Sequence, residues 1–369
     1  MTTTGSGVSG VRTAQKTLII DADAHVTETE RSWAFMDPGE EKYRPILDAP
    51  PDAPKEMFWN IGGRQRGFRF NQIHAEAARL MQGKTGRRTD VPVSASEVDD
   101  IAARLRVMDQ TGIDIQICHN TLWIETVADD AAQESALCRS WNRWVAEAWQ
   151  QAPERIRWSC VVPTLDLGEA VRQARFAKEN GAVAVCMRPV EGRRIVTDSY
   201  FFPIFEAAQE LDMAMAIHIA NGNPENVALW RGALGNLATF RAPTVLACAA
   251  VINSTIIEKF PRLRWGFIEA SASWMSWLDA EMKQRTGSRG AGGNIFADHN
   301  IYVSCQNGDD IPYLIKQGFL DSLVIGTDFG HFDAASDVDA ITKFQANALI
   351  SGEEKRKILF TNPKKLYAL

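Results

Sequence analysis

The sequence contains no run of eighteen or more apolar residues, so nothing in it reads as a bilayer-spanning helix. It has no CxxC pair. Its six cysteines (Cys118, Cys138, Cys160, Cys186, Cys248 and Cys305) are scattered, mostly within apolar text, which excludes a zinc ribbon or disulfide framework and reads as buried thiols. Basic residues are not in excess either. Lys and Arg number 40 against 46 Asp and Glu, a net charge of −6, so no basic face for nucleic acid or an anionic membrane is expected. No GxGxxG or P-loop glycine pattern follows any strand-like segment, which weighs against a nucleotide-binding sheet. The opening "MTTTGSGVSGVRTAQ" lacks the apolar middle of a signal peptide and predicts a disordered tail over residues 1–16 of a cytoplasmic protein.

What is present is a large apolar fraction, 45% of 369 residues, enough for one sizeable domain over residues 17–369. The first structured text is "LIIDADAHV", residues 18–26, an apolar strand that runs into Asp21, Asp23 and His25. Residues 27–96 are irregular and rich in Pro, Gly and charge, too long for an ordinary loop, and read as a functional insertion after the first strand. From "SEVDDIAARLRVMDQTG" onward the text alternates between helical periodicity and short apolar runs, with Ser96 the expected cap of the first helix. Counting the opening run, eight strand-like segments alternate with helices. Near-continuous apolar strands of this kind are covered on both faces. The predicted fold is therefore α/β, a (β/α)8 TIM-type barrel, with a doubly wound open sheet as the alternative.

In such a barrel chemistry sits at the C-terminal strand ends. Those ends carry Asp23 and His25, His119, Arg188, His218, Glu269, Gln306, and Asp328 followed by His331. Four of the six histidines fall there. Residues two apart on a strand share a face, so Asp23 and His25 are expected to point together into the mouth, where His218 and Asp328 can meet them. Carboxylates and neutral imidazoles are the ligands of catalytic divalent metals. Glu269 and Asp328, set in apolar text, would be costly to bury unless paired or metal-bound. His119 reads either as a substrate contact or as a satisfied core imidazole. Arg188 reads either as a substrate anchor, with Arg193 or Arg194 beside it, or as a rim ion-pair partner. His74 and His299 lie in loop text and read as structural.

The motifs "IIDADAH", "HIANG", "FPRLRWGFIEASASW" and "LVIGTDFGHFD", in that order along residues 18–369, resemble the amidohydrolase superfamily. The likeness is to the branch holding the aminocarboxymuconate-semialdehyde and resorcylate decarboxylases. The resemblance implies metal ligation by Asp23, His25, His218 and Asp328, and an acid/base or orienting role for His331 and Asp328. It also implies a small-molecule substrate and a homodimer or higher homo-oligomer. Two letters depart from the pattern. Asp23 stands where the first family histidine is expected, and Glu269 where the sixth-strand histidine is expected. "AVAVCMRP" on the fourth strand offers no lysine for a carbamylated bridge. The ligand set is thus carboxylate-rich, with Glu269 and His331 as extra ligands if two ions bind, and it suits Zn, Mn or Fe, including binuclear iron.

Three functions follow as expectations. The first is metal-dependent hydrolysis or non-oxidative decarboxylation of a small organic acid, ester or lactone. The second, implied by a resemblance to a di-iron member of this fold, is a non-haem monooxygenase acting on a bulky apolar, terpenoid-type substrate. The third is a non-catalytic binding barrel.

Overall fold

The computed structural model describes residues 18–49, 57–69, 79–80, 82–231, 235–286 and 293–369. The expected tail at 1–16 and His74 lie outside them. Eight parallel strands form one sheet in chain order: β1 (Ile20–His25), β2 (Ile115–His119), β3 (Ile156–Val161), β4 (Ala182–Met187), β5 (Ala214–His218), β6 (Trp265–Ile268), β7 (Ile301–Cys305) and β8 (Leu323–Ile325). Helices separate them as the periodicity predicted, among them Ile101–Thr111, Ala131–Gln150, Leu167–Glu179, Ala242–Asn253 and Met275–Thr286. The architecture is the (β/α)8 barrel.

Alternation along the strands splits the core in two. Outward residues such as Trp158, Met215, Phe267 and Val303 join the helices in the main apolar cluster. Inward residues are small: Ala22, Ala214, Ala216 and Val324 line the interior with Ile20, Ile117 and Ile268. That leaves room for the C-terminal residues Leu366 and Tyr367 to fill the same interior, with Tyr367 donating its hydroxyl to the Ala22 carbonyl at 2.9 Å.

The barrel closes through a thin seam. β1 and β8 share no long ladder; a single bridge joins Ala24 to Phe329. The amides of Thr327 and Asp328 donate to the Asp23 carbonyl at 3.1 and 2.8 Å, and the His25 amide donates to Phe329 at 2.8 Å. Gly326 allows this approach, since a Cβ there would lie 2.3 Å from that of Asp23.

Two features depart from the sequence reading. The first helix after the insertion is capped by Asp100, whose carboxylate accepts from the Ala103 amide, whereas Ser96 ends a separate short helix, Val93–Ser96. The stretch 27–96 is not wholly irregular. Ile46–Asp48, Phe58–Ile61 and Arg64–Phe68 form a three-stranded antiparallel sheet. Its second hairpin turns on Gly62 and Gly63, both at positive φ, which two-residue hairpin loops favour. The later part of the stretch grips the loop after β8: Arg88 pairs with Asp339 through two hydrogen bonds, and Arg87 donates to the carbonyls of Asp333 and Ala334.

Candidate metal centre

β1 does not alternate simply. A one-residue bulge against β2 falls between Asp21 and Ala24. Before the bulge, Asp21 points outward, toward the helices; after it, Asp23 and His25 point into the mouth. Asp21 is therefore behind the strand, not one layer deeper in the barrel as strict alternation would have it. It accepts from the Thr327 amide (2.9 Å) and hydroxyl (2.6 Å) and from the Gln116 side chain (3.0 Å). Gln116 accepts in turn from Arg104, a fully buried arginine that also donates to the His25 carbonyl. One buried network thus ties the backbones that carry His25 and Asp328. Burial raises Asp21 to about 6, against the pull of its Thr327 bonds.

In front of β1 the side chains converge. His25 Nε2 lies 3.5 Å from Asp23 Oδ1, 3.2 Å from Asp328 Oδ1 and 3.8 Å from Glu269 Oε2. His218 Nε2 lies 3.5 Å from Asp23 Oδ1 and 3.3 Å from Glu269 Oε2. All five residues are buried. β5 delivers His218 by its inward parity with Ala214 and Ala216. Glu269 follows outward-facing Phe267 by two residues and would share that side; its φ of 66° turns it into the mouth instead. Asp328 also sits at positive φ, 52°. Such backbone is costly for a non-glycine residue, and here it occurs at two carboxylates of one cluster.

The donor chemistry fits a cation. His25 holds its Nδ1 proton against the Asn120 carbonyl at 2.8 Å, which leaves Nε2 a lone pair facing the cluster. Asp23 Oδ1, His25 Nε2, His218 Nε2 and Glu269 Oε1 are buried without a hydrogen-bond partner. Unsatisfied buried atoms are rare in native proteins, and four in one cluster call for a ligand. Two overlapping groups have metal-binding geometry: Asp23, His25 and His218; and His25, Glu269, Asp328 and His331.

Electrostatics separates the roles. Burial, together with the neighbouring charge of His331, holds His25 well below the ordinary imidazole value, so it stays neutral. Burial, Asp328 and Asp333 hold Glu269 well above the usual carboxyl range. Burial would depress His331, but the Asp328 carboxylate 2.9 Å from its Nδ1 outweighs this and raises it to about 9. Burial raises Asp328 to about 7, with His331 pulling the other way. The other nitrogen of His331, Nε2, lies 2.9 Å from Thr121 Oγ1, whose hydroxyl donates to the Val26 carbonyl. Thr121 therefore accepts from His331, and both imidazole nitrogens carry protons.

The remaining expected site residues fall elsewhere. His119 sits behind the cavity wall. It is fully buried, hydrogen-bonded to Ser159 at 2.8 Å and does not line the cavity; burial lowers it to about 4. Arg188 lines the cavity, but as an ion-pair partner: it donates twice to Glu191 (2.7 and 2.9 Å) and to the carbonyls of Trp123 and Glu125. Arg193 and Arg194 lie beyond this wall on a short exposed hairpin. His299 is bonded to the Ile295 carbonyl, away from the centre. Asp333, Thr121 and Ser336 were not foreseen. Ser336 donates to Asp328 Oδ2 at 2.6 Å, and Asp333 shares a hydrogen bond with Glu269. Only Asp333 left a trace in the sequence, as the third polar residue of "DFGHFD".

Fold and site together define an (β/α)8 barrel whose chemistry is gathered at the C-terminal strand ends. The amidohydrolase family model matches residues 20–369, and the chain belongs to that family. No curated protein sequence matches it. Among solved structures, an amidohydrolase from Mycobacterium avium subsp. paratuberculosis superposes with a TM-score of 0.72 at 19% identity, covering 96% of this chain and 100% of that one. The 5-carboxyvanillate decarboxylase of Sphingomonas paucimobilis gives 0.64 at 16% identity over 96% and 100%. That of Novosphingobium aromaticivorans, with manganese bound, gives 0.60 at 22% identity over 81% and 93%. At these identities the likeness concerns the fold.

Proposed function

We propose that the protein is a metal-dependent lyase that removes carbon dioxide, without an oxidant, from a small organic acid. The observation that carries this is the pairing of an orphaned ligand cluster with a proton-bearing dyad. Four unsatisfied ligand atoms gather in one buried cluster, and His331, paired with Asp328, stands beside it on the cavity wall. Asp23, His25, His218 and Asp328 would hold a divalent ion, with Glu269 completing the shell. When bound, the ion supplies Lewis-acid polarisation of a substrate oxygen. Carboxylate-rich sets suit manganese, and similar decarboxylases of dihydroxybenzoic acid and 5-carboxyvanillate bind manganese.

The chain's own residues do the proton work. Against burial, the Asp328 carboxylate, 2.9 Å from the Nδ1 of His331, raises that imidazole to about 9, so the imidazolium holds a proton at neutral pH. Delivered to the carbon bearing the carboxylate, that proton makes the new C–H bond. The C–C bond then breaks, its electron pair stays with the substrate skeleton, and carbon dioxide leaves. His331 recovers its proton from the cavity, which it also lines. Hydrolysis would need the same pair to accept a proton from water, and family membership alone allows it.

The test is stoichiometric metal analysis of purified protein with turnover of candidate acids in the absence of oxygen. Bound manganese or zinc with oxygen-independent release of carbon dioxide is the expected result. Absence of stoichiometric metal, or metal content unchanged in Asp328→Ala, would overturn the reading. Iron with obligatory oxygen consumption would favour the di-iron oxygenase instead.

A further inference from the structure

The narrow pocket at the centre, lined by His25, His218, Glu269 and Cys186 among others, has room for about 40 Å³ beyond its walls, enough for a carboxylate and little more. It opens into a second cavity of about 520 Å³; Thr121, Ile124, His331 and Asp333 line both. That volume falls within the ~300–1,000 Å³ range of sites for drug-sized ligands. The walls of the second cavity come from four parts of the chain, two of them being the segments after β2 and β8 that hold these shared residues. Phe58, Gln65 and Gly67 belong to the antiparallel sheet inserted after β1, while Val227, Asn236 and Phe240 belong to the segment after β5.

The lining is mostly apolar, and its charges are spoken for. Arg231 lies 3.3 Å from both oxygens of Glu125, and His331 is engaged by Asp328 and Thr121. Asp333, at the inner end, repels anions. Among the described residues lining the cavity the one cation besides His331 is Arg231, already shared with Glu125, so a second anionic group of a substrate would compete with that carboxylate. A one-ring acid would leave most of this space to water.

Resting on the decarboxylase reading above, we infer that the substrate carries a bulky, uncharged, largely apolar body of two or more fused rings behind its carboxylate. The inserted sheet selects for that body. Gln65 and Asn236 are the positions to test, because both are exposed and stand on different walls. A tryptophan at Gln65 is compatible with a β-strand.

The experiment measures binding of benzoate, 2-naphthoate and anthracene-2-carboxylate, and of their neutral primary amides, to the manganese-loaded protein by calorimetry. Affinity is expected to rise at least tenfold from one ring to three in both series. Gln65→Trp and Asn236→Trp should each cost the three-ring probes tenfold or more and leave benzoate within twofold. A flat or falling size series, or tryptophan variants that weaken all ring sizes equally, would overturn the inference. The acid-over-amide preference, and its loss in His218→Ala, reports separately on the decarboxylase reading. Size dependence without that preference would keep the assigned body and overturn the acid head.

Discussion

His331 is held on both ring nitrogens and stacked 3.8 Å from His25, so its position is set independently of any ion. His331→Asn should therefore lower kcat by about 10²–10⁴-fold, the usual contribution of a general acid, while leaving metal content unchanged. A parallel loss of metal would recast His331 as a ligand. Asp21 acts at one remove, through Thr327 on one side and the Gln116–Arg104 pair on the other. Asp21→Asn keeps the shape but replaces an acceptor oxygen with a donor facing Thr327 or Gln116. Metal affinity is expected to fall 10–100-fold, as for other residues that orient ligands without touching the ion. Equilibrium dialysis would measure it, and unchanged affinity would reduce Asp21 to a folding role.

At the scale of elements, the hairpin after β4 and the helix Ala131–Gln150 meet in a buried charge cluster of Arg188, Glu191 and Glu134. Burial raises Glu191 to about 7 from an ordinary 4.5, with Arg188 pulling it down. The folded state then binds the proton more tightly than the unfolded chain. This contribution to stability is fully present below pH 4.5 and is lost as pH rises through about 7, a change of about 3 kcal/mol at most. Denaturation midpoints measured from pH 5 to 8 should fall on this account, and the Glu191→Gln variant should show a shallower slope whatever its absolute stability.

Much of this level was legible in sequence. The eight strands announced themselves because parallel strands covered on both faces are apolar runs, and their polar ends marked Asp23, His25, His218, Glu269 and Asp328. The bulge in β1 left no such mark, since every residue from Ile20 to His25 is buried whichever way it points. The left-handed backbone at Glu269 was equally silent. The inserted sheet could have been found from Gly62-Gly63 between "FWNI" and "RQRGF", a hairpin signal. Long-range contacts such as Thr121 with His331, 210 residues apart, have no local signature at all.

Across the whole molecule, the proposed ion, held by residues from β1, β5, β6 and β8, would be linked to folding by mass action. A thousandfold excess of metal over its Kd should stabilise the protein by roughly 4 kcal/mol, and chelation should lower the melting temperature by several degrees. The seam between β1 and β8 gives that linkage a location. Asp23 stands on one lip and Asp328 on the other, while the backbone between them is stitched by a handful of hydrogen bonds. Remove the cation, and two carboxylates face each other across the weakest join in the barrel. On the metal-enzyme reading the protein is a clasped ring whose clasp is the ion. Amides of residues 326–329 should exchange with deuterium faster in chelated protein than those of the β5–β6 ladder, and slow again when metal is restored. Equal protection in both states would show that the barrel holds its shape unaided, and that the ion serves chemistry alone.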